Sequence, residues 1–141
     1  HFPSREAMIL GALEHRDATY FRWLEGGPQE GAAHVLHPLV RLGDWLGEVA
    51  NTGCLFLNAW AQYPDSAAIA AVVRDHKARL AGEFRQRLAR VAPRQDTGHL
   101  AETLFLLHEG MTQAARLQGR EIAYEAAMHA ARAALAAQNI D

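Results

Sequence analysis

A chain of 141 residues with a formal charge of −2, 50% hydrophobic and 21% charged, has the size of one domain that buries roughly two thirds of its unfolded surface without a disulfide or metal staple. The mixed charge lacks the basic stripe of a domain that binds nucleic acid in its own right, and the single cysteine, Cys54, excludes an internal disulfide and suits a reducing compartment. The sequence shows neither a charged-then-apolar leader nor an apolar run of bilayer length, so the expected location is cytoplasmic.

Alanine is abundant, Gly and Pro cluster in a few places, and no segment alternates apolar with polar residues as a half-buried strand would. The expected fold is therefore all-α, a bundle of about six helices. The opening His1-Phe2-Pro3-Ser4 enters a helix at once, which predicts an upstream portion beyond this chain. Ser4 is the N-cap and Glu6 puts a carboxylate in the first turn, where the helix dipole favours it. The helix is expected over 4–25, with Met8, Leu10, Leu13, Tyr20, Phe21 and Leu24 apolar and Arg5, Glu14, Arg16, Asp17 and Arg22 solvated, until Gly26-Gly27-Pro28 ends it. A second helix begins between Gln29 and Ala33 and carries Val35, Leu36, Leu39, Val40, Leu42, Trp45, Leu46 and Val49; Pro38 either starts its regular part or kinks it.

Asn51-Thr52-Gly53 forms the next joint, with Thr52 or Asn51 as cap. Residues 53–65 are the most apolar run, closed by Pro64-Asp65, and a helix apolar nearly all round belongs inside a bundle. Helical spacing puts Phe56, Trp60 and Tyr63 on one face and Cys54, Asn58 and Ala61 on another, so one side can pack while the other lines a cavity. If buried, the Asn58 amide needs partners from side chains, water or a ligand. A long helix over 66–91 follows, with Ile69, Val72, Val73, His76, Leu80, Phe84, Leu88 and Val91 inward and a solvated Arg- and Lys-rich side. After the loop 93–98, residues 100–118 form an apolar helix with Leu104, Phe105, Leu107, Met111 and Leu117. Gly119 breaks it, and 121–138 forms a last, alanine-dominated helix. The small side chains of these two helices, from two chains, suit a four-helix dimer interface. The residues expected in it are Leu107, Ala114, Ala115, Ala127 and Ala131.

Two stretches resemble a known family. His1-Phe2-Pro3-Ser4-Arg5-Glu6-Ala7 is similar to the H-F-x-S-[KR]-E-x stretch that closes the helix-turn-helix of tetracycline-repressor (TetR) family regulators and opens the helix leading out of it. Gly53-Cys54-Leu55-Phe56-Leu57-Asn58-Ala59, with Tyr63-Pro64-Asp65 and then His76-Lys77, looks like the central helix and its sequel in one branch of that family's C-terminal domains. The resemblance implies a ligand-responsive DNA-binding regulator, preferentially a repressor, whose C-terminal domain binds a small molecule and forms a homodimer. Residues 1–3 would be the remnant of the helix-turn-helix, 4–25 the connecting helix and 4–141 the ligand-binding and dimerisation domain. The recognition helix and the two helices before it are absent, so this chain alone is not expected to bind an operator. Only His1 and Arg5 match family positions that approach the DNA backbone. An effector acts through differential affinity for two geometries, and the first helix is a plausible lever between them.

The pocket of such a domain would draw on Trp23, Trp45, Phe56, Asn58, Trp60, Phe105, His108, Met111 and Thr112. Aromatics would hold a small, partly apolar effector, and Asn58, His108 and Thr112 would orient it; ordinary core packing is the alternative fate of each. No cofactor or metal is expected. His34 and His37 stand one turn apart, but no cysteine and no nearby carboxylate completes a tetrahedral set. Nor is an enzyme expected, since there is no nucleophile elbow, phosphate-cradling glycine loop or His-Glu-x-x-His, and adjacent Glu14-His15 and His108-Glu109 diverge on a helix. A helical dimerisation module whose own Trp and Phe side chains fill the cavity is the alternative to a ligand sensor.

Overall fold

The structure, a computed structural model, describes residues 3–141, so His1 lies outside the described residues. Six helices make up an all-α bundle: α1 (Arg5–Trp23), α2 (Gly31–Glu48), α3 (Leu55–Gln62), α4 (Ala67–Val91), α5 (Gly98–Gln118) and α6 (Arg120–Ala137). Among the described residues, no helix is long and apolar enough to cross a membrane. Side chains start three of the helices by accepting an otherwise unpaired amide: Ser4 Oγ from Ala7, Ser66 Oγ from Ile69, and Cys54 Sγ from Leu57. The cap of α3 is thus Cys54, not Asn51 or Thr52. Asn51 instead donates from its amide to the Ala115 carbonyl at 3.1 Å, which ties the joint to α5. The central helix is also shorter than the run that predicted it, because Tyr63 leaves helical geometry before Pro64.

Pro38 neither starts nor stops α2; it sits buried in mid-helix. A proline there cannot donate to the carbonyl four residues back, that of His34. Arg87 fills the vacancy from α4: its Nη1 donates to the His34 carbonyl at 2.8 Å, and its Nε donates to Glu83 at 3.1 Å. A buried guanidinium and a buried proline each meet the other's need.

The main core joins α2, α4, α5 and α6 with the end of α1, through Tyr20, Leu24, Leu39, Phe84, Leu104 and Met128 among others. Within it α5 and α6 fold back on each other across Gly119, whose φ of 97° is a left-handed value suited to glycine. Gln138 donates to Gln95 at 3.2 Å, so the end of α6 meets the loop that leads into α5. The alanines of this pair act differently from the expectation. Ala115, Ala127 and Ala131 are buried in the chain's own core, where their small side chains let the two helices approach. Buried there, they offer little surface to a second chain. Leu107 and Ala114 are half-buried at the edge of the same core. What α5 and α6 present outward is Leu106 (66% exposed), Leu117 (81%) and Ile122 (58%).

A second, smaller core lies at the other end of the bundle, where Leu13 of α1 meets Cys54, Phe56 and Ala59 around α3 and Ile69 and Val73 of α4. Asp141 is fastened as well. Asp141 accepts from the Ala32 amide at 2.9 Å, and a Cβ on Gly31 would lie 2.5 Å from the Asp141 carbonyl oxygen.

Candidate ligand pocket

Between the two cores lies a pocket with about 50 Å³ of free volume. Helix α1 supplies Arg16 and Tyr20, one turn apart; α2 supplies Leu42, Trp45 and Leu46; the α2–α3 joint and α3 supply Gly53, Cys54, Leu55 and Phe56; α4 supplies His76 and Lys77; α5 supplies His108 and Thr112. On α1, α2 and α5 the contributing side chains are spaced by three or four residues, so a single face of each of these helices turns to the cavity.

The apolar wall is aromatic. Tyr20 meets Trp45 edge to face at 5.2 Å, and Phe56 stacks flat on His76 at 3.6 Å. Arg16 holds its guanidinium 5.3 Å from the centre of the Trp45 ring.

The polar groups form two chains. In the first, His76 Nδ1 donates to Asp17 Oδ1 at 2.8 Å, and Asp17 is also met by Arg79 at 3.3 Å. Burial lowers the His76 pKa to about 4 against the pull of Asp17, so this contact is a hydrogen bond of a neutral imidazole and not an ion pair.

In the second, Lys77 Nζ donates to Glu109 at 2.9 Å and to Cys54 Sγ at 3.3 Å. Burial opposes the charge on Glu109, yet the His108 ring N–H facing it and the Lys77 ammonium together hold its carboxyl below the usual range. Tyr20 and His108 close the chain at 2.6 Å. Burial first, and the charge of Glu109 second, push the Tyr20 pKa up, so the phenol keeps its proton and donates it to His108 Nε2. His108 stays neutral because burial lowers its pKa despite Glu109. Its one ring proton therefore sits on Nδ1 and faces Glu109 Oε1 at 3.7 Å, longer than a normal hydrogen bond. The atom is fully buried and turned toward Glu109, so it does not open onto the cavity.

Of the residues expected to bind a ligand, Trp45, Phe56, His108 and Thr112 come together here. Thr112 Oγ1 donates to the His108 carbonyl at 3.1 Å, which leaves its oxygen free to accept. Trp23 stands one layer back, edge-on to Trp45 at 5.6 Å, with its ring N–H given to the Arg41 carbonyl at 2.7 Å. Phe105 and Met111 pack in the main core. Trp60 packs against the smaller core with Arg74 over its ring. Asn58 is exposed, so its amide is satisfied by solvent and anchors nothing inside. Arg5 is exposed in the first turn of α1.

Tyr20, Arg16, Cys54, His76 and Lys77 join the wall without having been singled out as ligand contacts. The Arg16–Tyr20 spacing was the available signal on α1. The Lys77–Glu109 pair links helices 32 residues apart in sequence and leaves no local pattern. The paired histidines of α2 have separate structural tasks: His34 Nδ1 meets the Pro28 carbonyl at 3.0 Å, while the His37 ring fills the space where Gly27 lacks a side chain.

No protein-family model, curated protein or solved structure matches this chain.

Proposed function

We propose that this chain is the effector-sensing and dimerisation domain of a ligand-responsive, TetR-like transcriptional regulator, acting as a repressor. The observation that carries the reading is the position of α1. The helix that follows the His1–Ala7 motif supplies Arg16 and Tyr20 to the pocket wall, so a molecule in the pocket bears directly on the helix that would lead to a DNA-reading unit. The effector is small and partly apolar, flanked by Trp45, Phe56 and His108 and oriented by the Thr112 hydroxyl. Operator DNA is contacted through helices upstream of α1, with Arg5 near the phosphate backbone. The homodimer forms through the outer face of α5 and α6, where Leu106 and Leu117 fall on one stripe of α5 and Ile122 follows across Gly119.

Titration with small aromatic acids, phenols and ketones, followed by the fluorescence of the buried Trp45, tests the reading. A saturable change that Trp45→Phe removes and His108→Ala weakens supports it. A flat response throughout favours the ligand-free dimerisation module. The size of the cavity speaks for that second reading, because pockets for drug-sized ligands are of roughly 300–1,000 Å³ and this one has about 50 Å³ free.

A further inference from the structure

The pocket wall has a sign. Two of its residues are cations, Arg16 and Lys77, and none is an acid. Lys77 is neutralised where it stands, since its ammonium donates to Glu109 at 2.9 Å and to Cys54 Sγ at 3.3 Å. Arg16 is not. The residues three and four positions away on α1 are Ala12, Leu13, Thr19 and Tyr20, so no carboxylate meets it along the helix. The two carboxylates bonded to pocket residues are engaged elsewhere, Glu109 by Lys77 and Asp17 by His76 and Arg79. What Arg16 has is the Trp45 ring, 5.3 Å from its guanidinium carbon. A guanidinium against a ring keeps the N–H groups of its plane free for an acceptor.

Its place in the wall suits an anion. Arg16, Gly53, Leu55, Lys77 and Thr112 are half-buried and rim the opening, while Trp45, Phe56 and His76 are buried behind them. An anion reaches a cation at the rim without giving up all of its water. The interior behind it is small: about 50 Å³, the room of a few water molecules and roughly a third of the ~150 Å³ cavity that accepts benzene.

We propose that the effector of this pocket is a short carboxylate of the size of acetate, its anion paired with Arg16 at the rim and its methyl group inside against Trp45 and Phe56. The inference rests on the reading of the pocket as an effector site and names the effector's class. A carboxylate and a guanidinium meet through two parallel N–H···O bonds, whereas a neutral molecule of the same shape leaves the Arg16 charge unanswered. Because Arg16 belongs to α1, the strongest contact of such a ligand falls on the helix through which the regulator reading has the signal leave.

The test is titration of the chain with sodium acetate at neutral pH and constant ionic strength, followed by tryptophan fluorescence, with sodium chloride, neutral acetamide and sodium benzoate as references. Acetate should give a saturable change with a Kd of about 1 mM, well inside the bound for a ligand of so few atoms. Each reference should bind about tenfold more weakly or not at all: chloride lacks the fork, acetamide the charge, and the benzoate ring is too large for the interior. Arg16→Gln should raise the acetate Kd about tenfold and Arg16→Lys should recover part of the loss, both with the wild-type thermal midpoint. An acetate response unchanged in Arg16→Gln, or matched by any of the three references, overturns the proposal; the references decide even if Arg16→Gln does not fold. No response to acetate beside a saturable response to ketones overturns the carboxylate and leaves the pocket an effector site. No response to any compound overturns both.

Discussion

The α5–α6 pair and the α3 end of the bundle solve opposite problems. Between α5 and α6, Ala115, Ala127 and Ala131 are buried among Leu104, Met111 and Met128, with small side chains setting the approach of the helices. Around α3 the wall next to the smaller core carries a thiol, an ammonium, two imidazoles and a phenol. Close packing of apolar groups tolerates neither loss nor gain of volume, whereas a polar wall costs more to bury and keeps a capacity to bind. The larger core holds the fold, and the smaller end is where something can happen to it.

The sharpest way to break that contrast is a cavity in the larger core. Phe84 is fully buried there, and Phe84→Ala should cost about 3–5 kcal/mol in urea unfolding. A cost below 1 kcal/mol would mean that this core is not the structural centre.

The pocket end should show itself next, through pH. His76 has an ordinary pKa of 6.5 and a folded value of about 4. Between these values the unfolded chain binds more protons than the folded one, so stability falls as pH drops from 6.5 to 4 and the loss is complete below that. The shift corresponds to ~3 kcal/mol in order of magnitude, and the thermal midpoint should fall with it. His76→Gln should flatten the slope, and an unchanged slope would reassign it to other groups.

Ala131→Leu should destabilise by about 1–3 kcal/mol through overpacking of the α5–α6 seam. Leu117→Ser, on the outer face, should leave the unfolding of the monomer nearly unchanged and shift sedimentation toward monomers. If Ala131→Leu were neutral, the seam would be looser than its burial indicates. The smallest effect belongs to Asn58→Ala: within about 0.5 kcal/mol and without influence on ligand response, since its side chain is exposed. A marked loss of ligand response would return Asn58 to the pocket.

The helices were legible because their signals are local. Apolar residues at three- and four-residue spacing, Ser4 and Ser66 as caps, and Gly26-Gly27 and Gly119 as breaks agree with the observed elements to within a few residues. Most inward residues of α4 were legible for the same reason: Ile69, Val73, His76, Leu80, Phe84 and Leu88 are buried, while Val72 and Val91 are only half-buried and Arg87, on the side expected in solvent, is buried. What the alanines face was not legible, because a small side chain suits an internal seam and an external one equally well. Half of the pocket was visible as aromatic and polar residues in apolar helices, such as Trp45 and His108. The other half hides in charged or reactive residues such as Lys77 and Cys54, whose sense depends on contacts between helices. Asn58 shows the converse: α3 is short enough that one of its faces looks outward.

Arg87 and Pro38 also tie α4 into the rest of the bundle at both ends. The guanidinium is bonded to the His34 carbonyl that Pro38 leaves open, while Lys77 and His76, at the pocket, lie ten and eleven residues earlier on the same helix, about 15 Å away along its axis. There His76 donates to Asp17 of α1, so one helix carries a polar fastening to α2 at one end and to α1 at the other.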